Sequence, residues 1–210
     1  MRNKNKLVYN FGINDVDNPV TVNKTVDGKR KQVYICPYYC DWRDMIFRAT
    51  SQKFKNARPT YQDCTICEEW KYFSNFIKWV DSQPNRDWQN CALDKDLLCT
   101  DNKIYSPDTC VYVDTVLNSF MTLRNNDRGS YMVGVSLDKE SGKYKAECSN
   151  PLNPNIKRYI GRYTTEIEAH KAWQQRKHEY ACMLADLQND TRVAEALRNK
   201  FSLDKDLSKI

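Results

Sequence analysis

From Lys143 to Cys148 the chain alternates strictly: Tyr144, Ala146 and Cys148 fall on one side of an extended strand, and Lys143, Lys145 and Glu147 on the other. A strand divided in this way commits the chain to a sheet with one packed face and one polar, mostly basic face. YMVGVSL and KRYIGRY read as two further short strands, separated from the first by the turn-forming stretches DKESG and NPLNPN. Thr165-Glu166-Ile167-Glu168 then reads as a capping box that opens a helix. Ala169, Trp173, Tyr180, Leu184 and Leu187 recur at helical intervals, so that this helix packs beneath the sheet. The pattern predicts an α+β fold in which residues 131–187 form a three-stranded antiparallel sheet on one helix. Val193, Leu197 and Phe201 predict an amphipathic helical tail over 188–210.

The first half is built differently. VTVNKTVDGKRKQVYI places two β-prone runs around Asp27-Gly28, which predicts a hairpin in an N-terminal arm, residues 1–35. DWRDMIFRA suits a short helix, with Trp42, Met45 and Ile46 on one side. In EEWKYFSNFIKWVDSQ, Trp70, Phe73, Ile77 and Val80 stand at helical spacing with Phe76 beside them, a stripe expected in a core. ALDKDLL and KIYSPDTCVYVD read as two strands joined at Asp101-Asn102, and TVLNSFM as a helix, giving a ββα unit that closes a module over 36–121. The polar stretch 122–130 is the expected linker.

The 210 residues carry 33 Lys and Arg against 27 Asp and Glu, a net charge of +6. That balance alone does not announce nucleic-acid binding, but its distribution is uneven. Residues 1–50 hold nine basic and five acidic side chains, residues 128–163 seven and three, and the rest is close to neutral. Aromatic residues at 12% exclude a disordered tail. No run approaches the roughly 18 apolar residues of a membrane span, and the basic start MRNKNKLVYNFG has no apolar run behind it. The expectation is a folded protein of the reducing cytoplasm, with no membrane partner.

Nine cysteines, an odd number, argue against a complete disulfide framework in such a compartment. Cys64-Thr-Ile-Cys67 has the short loop with which two thiolates hold a tetrahedral zinc. Cys36, Cys40, Cys91, Cys99 or Cys110 would have to complete the set, with Cys36 and Cys110 our candidates beside Cys64 and Cys67. The alternative is that these cysteines are small buried hydrophobes. His170 and His178, the only histidines, lie eight residues apart and roughly 80° apart around a helix, the spacing of neither a metal pair nor a dyad.

Two family resemblances bear on function. Gly134-Val135, GKYKAE at 142–147, RYIGRY at 158–163 and the helix start from Thr165 to Trp173 resemble the DNA-binding domain of plant ethylene-response factors, a domain also found beside nucleases in phages and mobile elements. The resemblance implies a sheet laid in the major groove, with Lys143, Lys145, Arg158, Arg162, Tyr144 and Tyr159 as candidate DNA contacts. The chain departs from the family at Val133 and Ser136, where arginines are usual, and at Tyr144 and Tyr159, which stand for sheet tryptophans. The family's target sequence therefore does not carry over.

YQDCTICEEWKYFSNFIKW, LDKDLL and NKIYSPDTCVYV resemble the HNH-type homing endonucleases of phages. This second resemblance implies one Mg²⁺ or Mn²⁺ held by Asp94 on a strand and Asn118 on the helix, with a general base at Lys95, where the family has histidine, or at Asp96. A lysine acts as a base near neutral pH only if its pKa falls by about three units, and Asp94 and Asp96 push it the other way. Together the resemblances imply a monomeric protein that binds double-stranded DNA in the bacterial host cell during phage infection. Its activity would be metal-dependent cleavage or nicking. The alternative is a degenerate HNH scaffold that only binds DNA, as a regulator or an anti-defence decoy. A third reading gives the basic face an acidic protein partner.

Overall fold

The computed structural model describes residues 7–123 and 130–204. The fold is mixed α+β and divides into two compact units, Met1–Val113 and Asp114–Ile210.

In the first unit, strands β1 (Thr21–Val26) and β2 (Lys29–Ile35) form an antiparallel hairpin. Asp27 and Gly28 both have positive φ, 53° and 70°, as a two-residue type I′ turn requires. Helix α1 (Pro37–Thr50) opens on a proline, which tolerates the first helical position, and buries Trp42, Met45, Ile46 and Ala49 along one stripe. The short α2 (Gln52–Ala57) follows, with Ser51 accepting from the Phe54 N–H at its start.

The stripe expected from Trp70 to Val80 divides. Trp70 lies in a single 3₁₀ turn, and α3 (Phe73–Ser82) begins after it, burying Phe73, Phe76, Trp79 and Val80 and leaving Ile77 only partly covered. Asp15 fixes that start: its carboxylate accepts from the Ser74 N–H at 2.9 Å and from the Ser74 hydroxyl at 2.6 Å. Residues 8–20 are therefore part of this unit's body. Ile13 bridges to Tyr72, and Val20 is buried in the same core. Among the described residues, which begin at 7, the hairpin alone answers to the arm expected over 1–35.

The run KIYSPDTCVYVD also divides. Strand β3 (Thr65–Ile66), inside the Cys64–Cys67 loop, pairs in parallel with β5 (Ile104–Tyr105). A turn closed by the Ser106 carbonyl on the Cys110 N–H (3.0 Å) separates β5 from β6 (Val111–Asp114), which pairs with β4 (Cys91–Asp94).

The second unit begins with α4 (Thr115–Met121), capped by the Asp114 carboxylate on the Leu117 N–H at 2.7 Å. Strands β7 (Val135–Asp138), β8 (Lys143–Glu147) and β9 (Tyr159–Tyr163) form an antiparallel sheet in sequence order. It lies on α5 (Glu166–Asp186), whose capping box is complete at Thr165 and Glu168. Helix α6 (Thr191–Lys200) packs on α5 through Val193, Ala194 and Leu197. Leu187, expected in the α5 stripe, lies past the end of that helix and is exposed.

The boundary between units precedes α4, whereas the sequence places it at 122–130, a stretch of which 124–129 lie outside the described residues. Lys177, buried on α5, is the reason. Its ammonium donates to the Phe120 carbonyl at 2.5 Å and lies 3.5 Å from the Phe120 ring centre and 4.9 Å from that of Phe201. Burial pushes its pKa down to about 8, against the pull of Cys148 and with the push of Lys200. Between pH 8 and the free-lysine value the unfolded chain holds a proton that the folded chain has released, so stability climbs with pH through that window. Relative to Lys177→Met, the wild type should gain up to about 3 kcal/mol between pH 7.5 and 10 in urea titrations. A difference that stays flat with pH would contradict this placement.

Candidate nucleic-acid interface

Strand register decides which side chains share a face. Val135 is opposite Ala146 and Ser136 opposite Lys145, while Lys145 is opposite Arg162 and Ala146 opposite Gly161. Ala146 is buried against α5, so its row faces the helix. The outer face then carries Ser136, Lys145 and Arg162 in one row, Asp138 and Lys143 in the next, and Glu147 with Tyr159 at the other end. The structure thus brings together Lys143, Lys145, Tyr159 and Arg162. Exposed Arg158 stands just before β9, where its carbonyl accepts from the Cys148 N–H at 2.8 Å. Tyr144 does not join them: it shares the helix-side face with Ala146 and meets Tyr131 edge-on, ring centres 5.9 Å apart.

Asp138 escaped the sequence reasoning as part of this face, whereas the alternation along β8 already places Glu147 on it. Arg162 donates through Nε to Asp138 at 2.5 Å, and Lys145 pairs with Glu147 at 3.0 Å. The hydrogen bond from Arg162 holds the Asp138 carboxyl below its usual range. Arg162 also lies over the Tyr159 ring, 5.9 Å from its centre. Carrying the alternation through β7 would have found Asp138, which reads in sequence as the first residue of a turn. Among the described residues neither Lys143 nor Arg158 has a carboxylate partner. The unpaired positive charge of the face therefore rests on these two.

Helix α5 fixes the sheet from behind. The Val133 carbonyl only accepts, so His170 donates to it through Nδ1, at 2.9 Å, and the imidazole stacks on Trp173. Glu166 accepts from the Met132 N–H at 2.5 Å. Gly134, with φ of +77°, passes so close to Trp173 that a Cβ there would lie 2.1 Å from the indole. These contacts hold β7 rigidly on the helix, as a reading surface needs.

Asp94 and Asn118 fall in different units, on β4 and α4. One oxygen of Asp94 accepts from the backbone N–H groups of Asp96 (2.9 Å) and Leu97 (2.7 Å), which closes the turn after β4. Lys95 is buried, donates to Asp96 and to the Asn102 carbonyl (2.9 Å), and lies 5.5 Å from the Tyr61 ring centre. Burial works to lower its pKa, but the hydrogen bond and charge of Asp96 outweigh it and hold the ammonium above its ordinary value. Lys95 is thus a cation clamped to Asp96, and Asp96 is its counter-ion. The pair holds the turn after β4 to Asn102.

All nine cysteines are free thiols. Cys64 and Cys110 are buried, burial pushes the Cys110 thiol up to about 12, and burial likewise raises Cys67. Cys36 sits at the start of α1 without capping it through its side chain. Among the described residues no three Cys, His, Asp or Glu side chains converge on a point where an ion would sit. Among them, too, no helix is long and apolar enough to cross a membrane.

The chain matches no family model, no curated protein and no solved structure.

Proposed function

We propose that this chain is a double-stranded DNA-binding protein whose contact surface is the outer face of β7–β9. The observation that carries the reading is the separation of charge across that sheet. One face is packed on α5, and the other carries Lys143, Lys145 and Arg162, with Arg158 at its edge. A twisted sheet with outward cations and hydrogen-bonding groups suits a groove lined by phosphates and base edges. Asp138 orients the Arg162 guanidinium, which favours a directed base contact over a mobile phosphate contact. The clamped Lys95 and the turn-closing Asp94 favour binding without cleavage over a Mg²⁺-dependent HNH reaction.

The test measures duplex binding against salt in the full chain. Lys143→Ala with Arg158→Ala should lower the slope of log K on log salt by about 1.8, the value for two phosphate contacts. An unchanged slope would remove the sheet from the DNA. The same samples, with supercoiled plasmid and Mg²⁺ or Mn²⁺, should show bound and uncut DNA. Nicking that disappears in Asp94→Ala would restore the nuclease reading.

A further inference from the structure

The hairpin β1–β2 stands apart from the other sheets, because its strands pair only with each other. Every residue from Asn23 to Tyr34 is exposed. A two-stranded ribbon bare on both faces is marginal in water, so its survival as an ordered element points to a partner.

The register shows what that partner meets. Lys24 is directly opposite Lys31, and Val26 is opposite Lys29, so three lysines share one face. Asn23, opposite Gln32, and Thr25, opposite Arg30, line the other face with hydrogen-bonding side chains. Like charges directly opposite each other destabilise a strand pair. Of the four cations only Lys31 has a carboxylate nearby among the described residues, Asp27 at 3.9 Å, and both are exposed. Such a surface pair offsets little of the repulsion. Among the described residues the ribbon itself supplies no carboxylate to Lys24, Lys29 or Arg30, which stay open to an anionic partner.

We propose that this ribbon is a second duplex-DNA contact, built independently of the β7–β9 sheet. The inference rests on the DNA-binding reading given above. A two-stranded ribbon has the width the major groove admits, and six residue pairs span about 20 Å along the strands. The three-lysine face meets phosphates, while Asn23, Thr25, Arg30 and Gln32 supply donors and acceptors. Val26, Val33 and Tyr34 are exposed as well, but Asn23, Thr25, Arg30 and Gln32 supply the hydrogen-bonding groups that base edges take up and a lipid surface does not need. Two contacts in one chain also raise affinity without a dimer, because the second binds at high effective concentration once the first has engaged.

The experiment uses the full chain and a short duplex, again reading the salt slope. Combined Lys24→Ala, Lys29→Ala and Lys31→Ala should lower the slope by about 2.7, the value for three phosphates. Replacing the same three by Arg should restore it, which separates lost charge from a lost fold. If the slope is unchanged in the alanine variant but falls in the Lys143 and Arg158 variant, the ribbon is not a DNA contact and the sheet reading stands. A wild type that fails to bind duplex overturns both. An unchanged slope with loss of binding to phosphatidylserine vesicles would overturn the inference in favour of an anionic membrane surface.

Discussion

Gly134→Ala should destabilise the β7–β9 sheet by about 4 kcal/mol. Two costs act together. A residue with a Cβ pays about 1–2 kcal/mol to hold a left-handed backbone, and Gly134 has φ of +77°. The new methyl would also sit 2.1 Å from the Trp173 indole, which is 4% exposed and cannot swing into solvent. Forcing that ring aside in a filled core costs about 1–3 kcal/mol more. Gly142 separates the two effects. Its φ is +67°, but nothing lies within 4 Å of the Cβ it would gain, so Gly142→Ala should lose only the backbone part. Amide hydrogen exchange along Val135–Asp138 and Lys143–Glu147 reads both. Equal losses in the two variants would show that Trp173 does not press on Gly134, and the rigid seating of β7 would go with it.

Trp42→Ala should cost the first unit about 4 kcal/mol, the range for an aromatic removed from a filled core. Trp42 is fully buried, lies with its ring centre 5.0 Å from Phe73 and 5.9 Å from Tyr39, and donates its indole N–H to the Trp70 carbonyl at 2.7 Å. Its far edge fills the space over Gly12, where a Cβ would meet the ring at 2.6 Å. Trp42→Phe keeps much of the packing but strands the Trp70 carbonyl, a loss of about 1–3 kcal/mol. Exchange at the α1 and α3 amides should therefore rank wild type, Phe and Ala in that order. A phenylalanine variant as stable as wild type would mean that the Trp70 carbonyl finds another donor, and the indole hydrogen bond would lose its role.

What was legible in the sequence was local. The alternation over 143–148, the turn residues on either side and the Thr165–Glu168 capping box specify the second unit's sheet and helix, because each is a rule about residues within a few positions. Asp27-Gly28 likewise specifies its hairpin through the two positive φ angles that only such residues adopt readily. Errors began where a distant group sets the phase. The α3 stripe starts at Phe73 because Asp15, 59 residues earlier in the chain, caps it there. The run 103–114 breaks because Ile104 and Tyr105 pair with the loop between Cys64 and Cys67.

The candidate site divides along the same line. That Lys143 and Lys145 share a face follows from their spacing alone, since period two is a property of one strand. That Asp138 comes within reach of Arg162 depends on the register of three strands and is settled by folding. Folding likewise brings Lys177 to α4, through a hydrogen bond between residues 57 positions apart. Nothing in the neighbourhood of either residue encodes that bond. A lysine at a stripe position reads as surface until an aromatic pair and a bare helix carbonyl close over it, and that closure is a packing event of the whole unit.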